Sequence, residues 1–302
     1  MKKQSKLVFF GNERLVSGLK HSDTPVLKGL IERGYDVVAV VVSHANGKSR
    51  NARALEVAEV AAAHGIPVIS PEKPTDIIDE LTAYNADGAI LSAYGRILSQ
   101  RVIDVFGTIG IINIHPSLLP EHRGPTPIEA TILEGDKVAG VSIMQLTAGM
   151  DTGPIYTQAS FDIPNNVAKF ELYRRLSNTG AELLFEALPD ILSGALKPKP
   201  QQNVDVSVTS LIDKADGVLD PTTDTATTLE RKIRAYQGYP KPHLTLLNKD
   251  VIITSSKITT GPSNDSLVVP CAENSWLEIT SLIAPSGREM SAQDFLRGYG
   301  QS

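Results

Sequence analysis

VVAVVVS, residues 37–43, is an almost unbroken run of β-branched side chains. A strand with one wet face alternates apolar and polar residues, whereas a run apolar at both parities belongs to a strand covered on both faces, as in a parallel sheet flanked by helices. Toward the N-terminus stand KLVFFG at 6–11, stopped by Gly11, and a segment from Thr24 to Arg33 whose Val26, Leu27, Leu30 and Ile31 recur at helical spacing. Toward the C-terminus come an Ala-rich helical stretch (52–64), the strand-like IPVIS (66–70) and the helical DIIDELTAY (76–84). The strand-like GAILSA (88–93), the helical ILSQRVIDVF (97–106) and the strand-like GIINIH (110–115) follow. Strand and helix in strict alternation define an α/β domain with a doubly wound, mostly parallel sheet of Rossmann-like type. Such sheets bind ligands beyond the carboxyl ends of their strands, which directs attention to the loops after GAILSA and GIINIH.

Beyond this core the texture changes. A long helix is expected over 168–192, interrupted near Gly180 and Pro189, and KPKPQQNVDVSV (197–208) has no periodic apolar face and reads as a linker. After a short helix around 228–236, the brief segments HLTLLN, DVIITSSKI, SLVVP and WLEITSLI are separated by turn residues, the pattern of a small open β-barrel of OB type. The 302 residues suit two domains, and the expected division is 1–194 catalytic, 195–207 linker and 208–302 barrel. With 41% hydrophobic and 21% charged residues the composition is that of a folded globular chain. No apolar run reaches membrane-spanning length and MKKQSKLVFFGN lacks the features of a secretory leader, so a cytoplasmic protein without membrane association is expected. The single cysteine, Cys271, fits a reducing compartment, and no Cys/His/carboxylate set has the spacing of metal ligands, so no metal is expected. A net charge of −5 argues against indiscriminate nucleic-acid binding but allows a local basic patch.

Asn113 and His115 alternate by two at the end of a strand, so both side chains leave the same face. An amide donor beside an imidazole suits attack on a carbonyl, the amide bonding the developing oxyanion and the imidazole taking or relaying a proton. The following PSLLPEHRGPTP is proline-rich and predicts a rigid wall rather than a loose loop. Downstream, AGVSIMQLTAGMDTGPIYTQ reads as two β-segments joined by a turn that holds Asp151 between Gly149 and Gly153. If that turn folds over the His115 strand, the carboxylate is placed to orient the imidazole; otherwise Asp151 is an ordinary turn-former.

INIHPSLLPEHRGPTPIEATILEGD followed by GVSIMQLTAGMDTGPI resembles the folate-dependent formyltransferases, whose signature is an Asn, a His two residues on, an SLLP segment and a later Asp in a Gly-bounded loop. TLERKIRAYQGYPKPHLTL and REMSAQDFL resemble the C-terminal domain of the branch of that family acting on methionyl-tRNA, so the resemblance covers nearly the whole chain. It implies Asn113, His115 and Asp151 as catalytic residues, and Ser117, Leu118, Leu119 and Pro120 with Ala93, Tyr94 and Gly95 as folate-binding. It further implies 10-formyltetrahydrofolate as co-substrate without a metal, initiator methionyl-tRNA as acceptor in translation initiation, and no stable protein partner. Where that branch carries a basic insertion after the second strand, SHANGKSRNARA (43–54) is shorter but keeps Lys48, Arg50 and Arg53. Residues 208–302 hold nine basic against eleven acidic side chains, so a tRNA grip there depends on local clustering, with Lys232 and Arg234 as candidates. Two other functions compete: a formyltransferase for a small amine such as an amino sugar nucleotide, and a non-catalytic relic that keeps the fold. NERLVSGLKHSD (12–23) finds no functional role at this stage.

Overall fold

The computed structural model describes residues 5–16, 18–19, 21–43, 55–202, 204–262 and 266–300. Strands β1 (Lys6–Gly11), β2 (Asp36–Val41), β3 (Val68–Ile69), β4 (Gly88–Ser92) and β5 (Ile111–His115) run parallel, and β6 (Val138–Gln145) and β7 (Ile155–Asp162) add an antiparallel edge. Their spatial order is β3-β2-β1-β4-β5-β6-β7. The winding reverses between β1 and β4, so the loops leaving these strands part and open a crevice there.

The doubly apolar strands are explained by cover on both faces. Leu7 and Phe9 of β1, Val40 of β2 and Ile112 and Ile114 of β5 pack against helices α1 (Pro25–Glu32), α2 (Glu56–Ala63) and α6 (Lys169–Ser193). Val8 and Phe10 of β1, Val41 of β2 and Ile111 of β5 pack against α3 (Ile78–Ala83) and α4 (Gln100–Ile103) on the opposite face. The helix expected over 97–106 is confined to α4 and one following 3-10 turn, and β3 is a half-exposed edge of two residues.

The expected break in the long helix does not occur. α6 runs for 25 residues through both Gly180 and Pro189. Gly180 serves packing: a Cβ there would lie 2.8 Å from Ile114 Cγ2 and 3.2 Å from Val141 Cγ1, so its absence lets the helix approach β5 and β6. Pro189 sits in the last turns, with its neighbours Leu188 and Ile191 buried, and tertiary packing there outweighs the lost backbone donor.

The C-terminal unit is a curled antiparallel sheet in the order β10-β11-β9-β8, with β12 paired to β11. Its strands are β8 (His243–Leu246), β9 (Lys249–Thr259), β10 (Leu267–Cys271), β11 (Ser275–Ile283) and β12 (Glu289–Ser291). Helix α7 (Ala226–Ala235), capped by the Thr225 hydroxyl, and α8 (Ala292–Tyr299) close its core through Leu229, Ile233 and Phe295. α7 also faces the first domain. Arg231 donates to the carbonyls of Leu133 and Glu134 at the end of α5 (Pro127–Glu134), Arg234 donates to the Val167 carbonyl, and Lys169, paired with Glu129 at 3.5 Å, donates to the Tyr239 carbonyl.

The described residues of 195–207 carry no helix or extended ladder, yet they are not slack. Lys199 exchanges two 2.8 Å backbone hydrogen bonds with Ile155, and the stretch from Gln201 to Ser210 is laced onto the loop that follows β5. The segment read as a linker is a strap fixed to the loop that follows β5.

Candidate active site

Asn113 and His115 project from the last residues of β5, at the bottom of a cleft of about 240 Å³ whose walls include Arg14, Leu15, Ala93, Tyr94, Gly95, Pro125 and Asp151. Both are buried, at 6% and 4% exposure. Such burial costs free energy unless the polar groups have work or partners. For His115 the partner is explicit: Nε2 lies 2.9 Å from the His122 carbonyl. A carbonyl oxygen only accepts, so Nε2 carries the hydrogen and Nδ1 is the basic nitrogen. Nδ1 stands 3.7 Å from Asp151 Oδ2, too far for a hydrogen bond. The Asp151 carboxylate is itself fixed by the Gly124 N–H at 2.7 Å. The β6–β7 loop thus does fold over the His115 strand, but the hydrogen bond that orients the ring comes from the His122 carbonyl. Among the described residues the Asn113 amide takes no protein partner, leaving its N–H donors for a substrate oxygen.

The loop chemistry behind this placement is local. Asp151 adopts φ 48°, a left-handed conformation that Asp tolerates better than most residues. Gly153 passes so close to β6 that a Cβ would lie 1.9 Å from the Gln145 carbonyl oxygen, so only glycine fits. The loop after β5 is held from beneath: the Ser142 hydroxyl donates to the Ser117 carbonyl at 2.7 Å and accepts from the Leu119 N–H at 3.0 Å, and Gln158 donates to both Leu119 and Ser142.

The residues singled out in the sequence divide among several places. Ala93, Tyr94 and Gly95 line the cleft with Asn113, His115 and Asp151. The Tyr94 ring stands edge-on to Phe10 at 5.5 Å, and its buried hydroxyl, unpartnered among the described residues, is pushed above the usual phenol range by burial. The Ser117 hydroxyl turns inward to the Glu121 carbonyl. Leu118, Leu119 and Pro120 line a separate hollow of about 540 Å³, shared with Tyr156, Gln158 and the strap. Lys48, Arg50 and Arg53 lie outside the described residues. Lys232 pairs with Asp224 at 2.6 Å and Arg234 with Glu230 at 2.6 Å, so both charges are matched inside the domain.

Several residues of the site were not picked out from sequence. Within 12–23, Glu13 caps α1 by accepting from the Val26 and Leu27 N–H groups, while Arg14 pairs with Glu56 and forms part of the cleft wall. His122, Glu134 and Asp136 come together with possible ligand atoms within 4.8 Å of one another, a set invisible to spacing arguments because a loop and a helix end supply it. His122 Nε2 is bonded to Asp136 at 2.8 Å, and this partner holds the imidazole pKa above its usual value.

A buried Asn–His pair with an outlying carboxylate, at the carboxyl ends of a doubly wound sheet, has the amide donor and the imidazole that group transfer to a nucleophile calls for. The chain belongs to the formyl transferase family: the family model matches residues 14–188, and a model described as the formyl transferase C-terminal domain matches residues 211–300. It is 35% identical over 288 residues to the methionyl-tRNA formyltransferase of Chloroflexus aggregans, covering 90% of this chain and 92% of that one. It is 31% identical to the methionyl-tRNA formyltransferase of Bacillus subtilis, covering 93% of each. Among solved structures its fold is similar to the N-formyltransferase from Helicobacter canadensis in complex with folinic acid and dTDP-3-aminofucose (TM-score 0.66, 18% identity, 91% of this chain and 98% of that). It is likewise similar in fold to HypX from Aquifex aeolicus in complex with tetrahydrofolic acid (TM-score 0.65, 18% identity, 98% of this chain and 47% of that).

Proposed function

We propose that this chain transfers the formyl group of 10-formyltetrahydrofolate to the α-amino group of initiator methionyl-tRNA. The observation that carries the reading is the Asn113–His115–Asp151 arrangement, set in a chain whose two domains both match full-length relatives named for that reaction. The donor brings a formyl carbon, electrophilic through its carbonyl oxygen, bonded to the folate nitrogen that leaves. Around it, Asn113 donates to the formyl oxygen as negative charge builds on it, and His115 Nδ1 takes the proton released when the amine forms its C–N bond. The resulting imidazolium is stabilised by Asp151, and the proton returns to the folate nitrogen as the old C–N bond breaks. An oxyanion donor of this kind is worth about 3–4 kcal/mol of barrier, and a positioned general base adds roughly 10²- to 10⁴-fold in rate.

Ala93, Tyr94 and Gly95 form the pterin wall of this site, and the Ser117–Pro120 segment, rigid through Ser142 and Gln158, completes the folate side. Because Lys232 and Arg234 are already paired, the tRNA grip rests chiefly on Lys48, Arg50 and Arg53, with α7 contributing shape more than charge. No helix among the described residues is long and apolar enough to cross a membrane, which accords with a cytoplasmic role in translation initiation. The competing reading, a small-amine acceptor such as an amino sugar nucleotide, has in its favour the like fold of a sugar-nucleotide-bound N-formyltransferase and the acidic balance of the second domain. Incubation with labelled 10-formyltetrahydrofolate and either charged initiator tRNA, charged elongator tRNA or an amino sugar nucleotide separates the two. Label on the initiator alone supports the proposal, and label on the sugar alone replaces it.

A further inference from the structure

His115 and Asp151 are each held by a backbone group of one tripeptide: the His122 carbonyl for the imidazole and the Gly124 N–H for the carboxylate. The residue between them, Arg123, is gripped from three sides by the interdomain strap. Its N–H donates to the Ser207 carbonyl at 3.0 Å, and its carbonyl accepts from the Thr209 N–H at 2.7 Å and from the Thr209 hydroxyl at 3.1 Å. Its guanidinium donates through Nε and Nη2 to Gln201 Oε1, at 3.0 and 2.7 Å. At its other end the same Gln201 amide donates from Nε2 to the carbonyls of Asp151 and Gly153, at 2.7 and 2.8 Å. Both N–H groups and both lone pairs of Gln201 are therefore used, between two loops that otherwise belong to different strands. The contact is direct, since a Cβ on Gly124 would lie 2.8 Å from the Thr209 carbonyl oxygen.

From this juxtaposition we propose that the interdomain strap, through Gln201, is a positioning device for formyl transfer that sets the spacing of His115 and Asp151. The proposal rests on the reading of the site given above. Gln201 touches no reacting atom and acts by fixing Arg123 on one side and the backbone of Asp151 on the other. The strap is also the covalent link to the barrel, so a shift of that domain is felt first at Ser207 and Thr209 and then at the tripeptide that holds both catalytic side chains.

The test compares the full-length wild-type chain with Gln201→Leu and Gln201→Glu. Glutamate keeps an acceptor for Arg123 but loses both donors to the Asp151 and Gly153 carbonyls. Steady-state transfer to charged initiator tRNA is measured together with the ring N–H signals of His115 in a proton–nitrogen NMR spectrum. Both variants are expected to lose roughly 10- to 100-fold in kcat with KM for either substrate little changed. The His115 ring N–H, sheltered by the His122 carbonyl in the wild type, is expected to broaden through exchange with water. Wild-type kcat with an unaltered ring signal would overturn the proposal, and so would an effect confined to KM for tRNA, which would make the strap part of the acceptor surface. If Gln201→Leu does not fold, Thr209→Val, which removes hydroxyl bonds to the Arg123 carbonyl and from the Thr126 N–H, is expected to lower kcat about two- to five-fold. A wild type that fails to formylate tRNA contradicts the assigned acceptor, while the ring-signal comparison still reports on the strap.

Discussion

In the proposed reaction His115 works from one nitrogen. With Nε2 committed to the His122 carbonyl, only Nδ1 is left to exchange protons, and the same face of β5 presents Asn113 two residues earlier. Replacing Asn113 by Ala removes the oxyanion donor without disturbing any hydrogen bond among the described residues, so kcat is expected to fall about 10²- to 10³-fold at nearly unchanged thermal stability, as read by steady-state kinetics and a melting curve. Glu13 illustrates a different use of a buried carboxyl. Burial raises its pKa from 4.5 to about 7, against the lowering effect of the Leu27 and Val26 N–H groups and of Lys28. The native chain therefore binds this proton more tightly than the unfolded chain does. The stabilisation is fully present below about 4.5, declines as pH rises and is gone above about 7. Glu13→Gln does not ionise, so between pH 5 and 8 the wild-type Tm is expected to drop by roughly 5 °C more than that of the variant. Equal slopes would contradict the assignment.

The strands and helices follow from side-chain periodicity wherever one face, or both, is buried by neighbours close in sequence. The parity-blind apolar runs at 6–11, 37–43 and 88–93 became β1, β2 and β4, and the spacing of Val26, Leu27 and Leu30 became α1. The Asn113–His115 pair was legible for the same reason, because a two-residue repeat fixes a common face. What periodicity does not carry is partnership between segments distant in the chain. Gln201 lies in a stretch without an apolar pattern, and its four hydrogen bonds reach residues about 50 and 78 positions away. His122 sits inside a proline-rich loop where nothing local shows that its carbonyl will meet His115. Gly180 misled for the converse reason: taken alone it weakens a helix, whereas in place it seats α6 on Ile114 and Val141. Gly180→Val is therefore expected to cost about 1–3 kcal/mol in urea unfolding and to lower activity as well, because Ile114 lies between Asn113 and His115. A neutral or stabilising effect would mean that helix propensity alone governs the position.

The two domains are joined by apolar as well as polar contacts: Ala235 and Tyr236, at the end of α7, are buried in the core of the first domain. Lys169 and Glu129 are both almost fully buried, and Lys169 reaches across to the Tyr239 carbonyl at the entrance to the barrel. Burial pushes the Glu129 carboxyl above and the Lys169 ammonium below their ordinary pKa values, each opposed by the partner's charge. Breaking such a pair strands a charge. Lys169→Met alone is expected to destabilise the chain by about 3–5 kcal/mol, while Lys169→Met with Glu129→Leu recovers much of that loss, a cycle read by chemical denaturation. Additive losses would show that each residue acts separately. Taken together, the end of β5, the loop over it and the strap from the barrel form one continuous hydrogen-bonded assembly around His115. Its most direct test is single-turnover transfer of labelled formyl from 10-formyltetrahydrofolate to charged initiator methionyl-tRNA by the wild type and by His115→Ala, with folate binding measured in parallel. The predicted result is labelled formylmethionine from the wild type and a rate at least about 10²-fold lower in the variant, at comparable folate affinity. Near-wild-type transfer by His115→Ala would contradict it.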